Sequence, residues 1–194
     1  MTLSAVLLVG GESRRMGRDK ATLEFGGRPL WKRQLEVLHG LSPETVFVSA
    51  RTTPPWLPND TKLLLDEPPS RGPISGLAKA LAAIGTTHLM VLAVDMPFMT
   101  PSEFGSLLER ATERRGVVPI IGDRAEPLAA IYPVTAAADF QRALAGPDYS
   151  LQVVVRTLAA TDKIELCSVA PENVHCYGNV NEADDFNAFP EFGA

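Results

Sequence analysis

Along the N-terminal half of the chain, short unbroken apolar runs alternate with stretches whose apolar side chains recur at helical spacing. The runs cover residues 6–9, 45–50, 62–65 and 88–94. Such runs read as strands buried on both faces of a sheet, and residues 88–94, the most apolar, read as the central one. Between them, Trp31, Leu35 and Leu38 fall on one face of a helix that opens at Pro29 and ends near Gly40. Ile74, Leu77, Leu81 and Ile84 mark a second helix that begins at Pro73. Thr100-Pro-Ser-Glu103 reads as a capping box with proline at the first helical position, followed by a buried face of Phe104, Leu107, Leu108 and Ala111. Leu23-Glu-Phe25 before Gly26-Gly27 predicts a short strand and a turn, and Pro54, Pro55 and Pro58 exclude regular structure from one connection.

The second half continues in the same alternation. Residues 116–121 and 127–132 flank Gly122-Asp123-Arg124 and predict a hairpin. Helices are expected around 136–144 and 151–158, a late strand over 163–169, and a final helix over 182–189 capped by Asn181. This order predicts an α/β fold, a mostly parallel sheet with helices on both faces. No repeat, low-complexity tract or linker interrupts it, so residues 1–194 read as a single domain.

Composition narrows the function classes. With 194 residues and 45% hydrophobic content, the chain has enough material for a real core. The net charge of −5 argues against a nucleic-acid binder, which needs a basic surface, but leaves room for a local basic pocket. No apolar run approaches the roughly 20 residues of a membrane span. Two cysteines, Cys167 and Cys176, are too few for a disulfide framework, and the expectation is a reduced, cytoplasmic protein.

The chemistry concentrates where strands end. The first strand runs into Gly10-Gly11-Glu12-Ser13-Arg14-Arg15-Met16-Gly17-Arg18-Asp19-Lys20. Glycines free the backbone to approach a ligand closely, and exposed N–H groups with fixed cations suit a polyphosphate. This is not a P-loop, because Arg18 follows Gly17 where that motif needs lysine, and it is not the dinucleotide fingerprint. Arg15 and Lys20 are expected to hold a triphosphate, with Arg14 a solvated neighbour. Asp66 and Asp95 also follow apolar strands. Ligands of open parallel sheets sit beyond the carboxyl ends of the strands, so Gly10 to Lys20, Asp66 and Asp95 should meet at one edge. Asp95 suits magnesium, which takes one or two carboxylates and completes its shell with phosphate oxygens and water. Read without a ligand, Asp95 and Asp66 are turn formers, and Gly72-Pro73-Ile74-Ser75-Gly76 is a loop-to-helix junction with free N–H groups. His39, His88, His175 and the two cysteines lack metal-ligand spacing, and a thiol nucleophile at Cys176 has little support.

The residues 8–20 loop resembles the signature Leu-x-Gly-Gly-x-Ser-x-Arg-Met-Gly-x-Asp-Lys of the nucleotidyltransferases that make molybdenum cofactors, and most resembles the molybdenum cofactor guanylyltransferases. The likeness recurs in Gly26-Gly27-Arg28-Pro29-Leu30, Asp66, Gly72-Pro73-Ile74-Ser75-Gly76, Asp95-Met96-Pro97-Phe98 and Asn179-Val180-Asn181, and it covers nearly the whole chain. It implies a three-layer α/β/α sandwich with a Rossmann-like sheet, of the nucleotide-diphospho-sugar transferase type. The nucleotide half would be about residues 1–100 and the acceptor half about 101–194.

The implied activity is transfer of GMP from GTP to the phosphate of molybdopterin or its metal-loaded form, with release of pyrophosphate. Arg15, Lys20 and Asp95 would be catalytic, with Asp95 the ligand of Mg2+ or a substituting Mn2+. Leu8, Val9, Gly10, Gly11 and Ser13 would contact the nucleotide, as would Lys20, Ser49, Asp66, Gly76 and Asp95. Asn179 and Asn181 would face the acceptor; related cytidylyltransferases carry Asp-x-Asp there and open with Ala-Ala-Gly. Two positions depart from the family pattern. Ser49 stands where some relatives have asparagine, with Arg51 a candidate to compensate, and Glu126 stands where relatives have Gln or His. Molybdenum-insertion and molybdoenzyme-delivery proteins are the implied partners. The alternatives are cytidylyl or other nucleotidyl transfer to a different phosphate, or a non-catalytic cofactor carrier. Turnover with GTP against CTP, ATP and UTP separates the first, and nucleotide binding without pyrophosphate release would mark the second.

Overall fold

In a computed structural model that describes residues 1–9, 20–66 and 69–180, the chain builds one eight-stranded sheet and a two-stranded hairpin. The strands are β1 (Leu3–Leu8), β2 (Glu24–Phe25), β3 (Arg28–Pro29), β4 (Thr45–Ala50), β5 (Lys62–Leu65) and β6 (His88–Ala93). They continue with β7 (Gly116–Ile121), β8 (Arg124–Ala125), β9 (Ala129–Pro133) and β10 (Ile164–Ser168). The helices are α1 (Leu30–His39), α2 (Pro73–Ala83), α3 (Pro101–Arg110), α4 (Ala137–Ala145) and α5 (Leu151–Ala160). The large sheet runs β5-β4-β1-β6-β9-β7-β10, with β8 beside β7.

The expected α/β sandwich is present. β1 pairs in parallel with both β4 and β6, β4 with β5, and β7 with β10. Alternate side chains of the central strands enter opposite cores, as strand geometry requires. Leu7, Met90, Leu92 and Ile131 join α1 and α3 on one face. Val6, Leu89, Val91 and Tyr132 join α2, α4 and α5 on the other. Every residue of β6 is buried, which is why its run is the most apolar. No helix among the described residues is long and apolar enough to cross a membrane.

The second half refines the prediction. β9 runs antiparallel between β6 and β7. The expected hairpin turns at Gly122-Asp123 and pairs β7 first with the short β8; β9 itself starts only at Ala129. Because β9 reverses direction, β7 and β10 regain the direction of β6, and their carboxyl ends reach the same edge. The chain then takes an unanticipated 3-10 path through Pro171–Tyr177. Pro29 belongs to the hairpin and flanks α1 rather than opening it. Positive φ at Gly26 and Gly27, 56° and 70°, suits the two-residue loop of that hairpin. Asn181 and the expected helix over 182–189 lie outside the described residues.

Candidate active site at the carboxyl edge of the sheet

The strands carry their hydrogen bonding past their ends and draw the candidate residues together. The Val9 amide donates to the Ser49 carbonyl at 3.0 Å, and the Val94 amide to the Leu8 carbonyl at 3.0 Å. The Asp66 amide donates to the Ala50 carbonyl at 2.8 Å. Leu8 and Val9 therefore end at the edge where Asp95 emerges. Lys20 opens a short 3-10 turn, Lys20–Thr22, and its Nζ lies 3.6 Å from Asp95 Oδ2. The predicted convergence of a cation and an acid from distant parts of the chain is thus observed for this pair. Burial raises the Asp95 pKa above the usual carboxylate range, and the Lys20 charge opposes that rise.

Helix α1 braces the turn that carries Asp95. The buried Gln34 donates from Nε2 to the Met96 carbonyl at 2.5 Å and more weakly to the Ala93 carbonyl at 3.5 Å. Arg33 Nε donates to the Pro97 carbonyl at 2.7 Å. Three carbonyls flanking Asp95 are thereby held by two adjacent side chains that lie on a different element.

A second group forms at the ends of β4 and β5. Ser49 Oγ donates to Asp66 Oδ1 at 3.1 Å, and Ser70 Oγ to Asp66 Oδ2 at 3.3 Å. Gly76, in the first turn of α2, lies directly against Ser49. Ser49, Asp66 and Gly76, each expected to contact the nucleotide, are therefore neighbours. The serine at position 49 aligns the Asp66 carboxylate through its hydroxyl, while Arg51 is exposed.

The segment expected to face the acceptor reaches the same edge from the far end of the sheet. The Val180 amide donates to the Asp95 carbonyl at 2.7 Å, which sets Asn179 beside the acid. Asp95 and Asn179 line a cavity of about 350 Å³ together with Arg71, Arg124, Glu126 and Tyr149. Burial raises the Glu126 pKa, and Arg124 counters it. Gln152 pins the strand carrying these groups, donating to the Ala125 carbonyl at 2.8 Å and accepting from its amide at 3.2 Å. The Arg71 guanidinium donates to the Gly146 carbonyl at 2.9 Å and lies 5.1 Å from the centre of the Tyr149 ring. Arg71, Tyr149 and Gln152 escaped the sequence reading. Arg71 adjoins the Gly72-Pro73 junction and was within reach; nothing in local spacing marks the other two.

Gly10, Gly11, Ser13 and Arg15, with Asn181, lie outside the described residues. Among the described residues, no three His, Cys, Asp or Glu side chains gather as a metal cage. Cys176 is buried, and burial first and Glu103 second push its thiol pKa up, the opposite of what a nucleophile requires.

Known proteins resemble this chain along most of its length. The family model of the MobA-like NTP transferase domain matches residues 5–163. A probable molybdenum cofactor guanylyltransferase of Opitutus terrae is 37% identical over 186 residues, spanning 94% of this chain and 92% of that protein. One from Mycobacterium marinum is 34% identical over 193 residues, spanning 97% and 93%. Among solved structures, molybdopterin-guanine dinucleotide biosynthesis protein A from Archaeoglobus fulgidus shares the fold, with a TM-score of 0.74, 23% identity and 97% coverage of both chains. The 2-C-methyl-D-erythritol 4-phosphate cytidylyltransferase of Thermus thermophilus shares it at a TM-score of 0.70 and 17% identity, with 97% coverage of both. From its strand-end chemistry, its sheet order and these matches along most of its length, the chain belongs to the MobA-like NTP transferase domain family.

Proposed function

We propose that this protein is a guanylyltransferase that moves GMP from GTP to the phosphate of molybdopterin, free or metal-loaded, forming a guanine dinucleotide cofactor. The observation that carries the reading is the Lys20–Asp95 pair, 3.6 Å apart, with the Asn179–Val180 segment bonded to the Asp95 backbone at 2.7 Å. A phosphate-binding cation, an acid for a divalent ion and an acceptor wall then share one cleft. Relatives named as probable molybdenum cofactor guanylyltransferases, up to 37% identical over most of the chain, support GTP as donor and molybdopterin as acceptor.

In this reading the triphosphate lies along the loop at residues 10–20, held by Arg15, Lys20 and the Gly10, Gly11 and Ser13 backbone. Leu8 and Val9 border the nucleotide, while Asp66, Ser49 and Gly76 form its far wall. Asp95 would hold Mg2+, or Mn2+ in its place, and a half-buried carboxylate at a strand end fits the modest protein contribution that magnesium takes. The ion supplies charge neutralisation across the phosphates when bound. The acceptor enters the cavity beside Asn179 and Asn181. Its phosphate oxygen attacks the α-phosphorus of GTP; the new P–O bond forms as the bond to pyrophosphate breaks, and pyrophosphate leaves. An acceptor phosphate is already anionic near neutral pH, so the protein's work is positioning and charge stabilisation by Arg15 and Lys20. We place the protein in the cytoplasm as one nucleotidyltransferase domain, with molybdenum-insertion and molybdoenzyme-delivery proteins as its partners.

The test is pyrophosphate release from GTP, CTP, ATP and UTP with purified molybdopterin. Release from GTP alone, dependent on acceptor and magnesium, is the expected result. Preference for CTP would overturn the base assignment, and tight GTP binding with no release would overturn the catalytic one.

A further inference from the structure

Glu103 has two features that its place in a helix N-terminus does not explain. Its amide donates to the capping Thr100 Oγ1 at 3.2 Å, but its carboxylate does not return to the Thr100 amide as a capping box would have it. The carboxylate is instead buried, and both oxygens are engaged across the chain. Oε1 accepts from the Tyr177 hydroxyl at 2.8 Å, and Oε2 accepts from Asn173 Nδ2 at 2.9 Å. Burying a carboxylate is costly unless donors compensate it, so this arrangement must secure something in return. Tyr177 stays protonated as the donor, because burial and the Glu103 carboxylate raise its pKa far above neutrality.

What Glu103 secures is the chain segment leading to the acceptor wall. Asn173 lies within the 3-10 turn Pro171–Tyr177, and Tyr177 closes it. Two residues beyond Tyr177 comes Asn179, and then Val180, whose amide reaches the Asp95 carbonyl. Few regular hydrogen bonds hold a 3-10 turn, so its placement depends on such tertiary ties. Glu103 itself stands on α3, which starts just after the Asp95 turn. One carboxylate therefore clamps the returning segment to the helix that follows the metal acid.

We propose that Glu103 is a positioning residue for acceptor binding, fixing Asn179 and Val180 against Asp95 through Asn173 and Tyr177. The kinetic part of this claim rests on the guanylyltransferase reading above; the structural part does not.

Two variants of the full chain test it, Glu103→Gln and Tyr177→Phe, the second keeping the ring and therefore the packing. Two measurements are made on each. Hydrogen exchange at the Val180 amide should accelerate by about tenfold or more, the scale of one lost charge-assisted bond, while amides of β1 and β6 keep wild-type protection. In turnover, KM for molybdopterin should rise by about tenfold with KM for GTP within about twofold. Adding Asn179→Ala to either variant should then cost little more, because the residue being positioned is gone. Unchanged Val180 exchange in both variants would overturn the proposal, as would equal rises in both KM values or full additivity with Asn179→Ala. If the wild-type protein releases no pyrophosphate at all, the guanylyltransferase reading fails, and the exchange measurement still decides whether Glu103 holds the segment.

Discussion

A β-carbon at Gly76 would stand 2.4 Å from the Ser49 hydroxyl and 3.1 Å from Leu8 Cδ2. The junction of β4 and α2 is packed so tightly at this point that only glycine fits while Ser49 keeps its bond to Asp66. Gly76→Ala should therefore lose about 1–3 kcal/mol in denaturant unfolding, despite the gain in helix propensity, and raise KM for GTP. Combining it with Ser49→Ala removes the nearest clash and should recover much of the lost stability. A single variant as stable as wild type, with unchanged KM, would show that Ser49 moves aside without consequence.

Asp95→Asn should reduce turnover by about a hundredfold or more while the protein stays folded. Burial raises the Asp95 pKa, so the charge is harder to carry in the folded protein than in the unfolded chain. Removing that charge should leave thermal stability equal or higher, read by a melt without nucleotide. A fall in both activity and melting temperature would recast Asp95 as a structural residue.

The same shift has a kinetic signature. In the proposed activity, protonation of Asp95 would compete with metal binding, and its raised pKa should put the acid limb of the pH–rate profile above that of an ordinary aspartate. Lys20 opposes the rise, so Lys20→Met should move that limb to still higher pH, besides weakening triphosphate binding. A profile whose acid limb does not move on this substitution would separate the two groups.

His88 is fully buried on β6, and burial first, with the amino terminus adding, lowers its pKa against the nearby carbonyls of Arg115 and Thr112. In the window just below the unfolded value of about 6.5, the unfolded chain takes up a proton that the folded protein refuses. Stability should therefore fall with acidification there, by up to about 1.4 kcal/mol per pH unit from this group. Denaturant midpoints measured from pH 7.5 to pH 5 on wild type and His88→Asn test this. The variant should be less stable at pH 7.5 and show a shallower slope.

Gln34→Leu probes the brace on the Asp95 turn. It keeps the side-chain bulk and removes the 2.5 Å donor to the Met96 carbonyl, which retains the Met99 amide at 3.2 Å, at a cost of about 0.5–1.5 kcal/mol. Because that carbonyl adjoins Asp95, kcat should fall more than stability alone explains, and a stability loss with unchanged kcat would deny Gln34 any part in the site.

The legibility of this protein in its sequence followed the range of the forces involved. Asp66 and Asp95 could be placed because each follows an unbroken apolar run that reads as a parallel strand, and parallel strands have a known functional end. Ser49 departs from the family pattern, yet its hydroxyl meets Asp66, a contact visible only once β4 and β5 are paired. Thr100-Pro-Ser-Glu103 gave the helix start correctly and the use of Glu103 wrongly, since its carboxylate is claimed by residues 173 and 177 rather than by its own backbone. Tyr149 and Gln152 were silent, because what brings them to the cavity is the packing of α4, α5 and β8, contacts no local spacing encodes.

The reversal at β9 reaches beyond strand counting. It brings residues 124–127 to the cavity, which residues 149–152 also line, while no residue of β1, β4 or β5, the strands of the proposed nucleotide side, lines it. Under the proposed activity, recoding those two segments alone is a route to enzymes that accept a different phosphate while drawing on an unaltered donor, a separation of specificities that engineering could exploit one loop at a time.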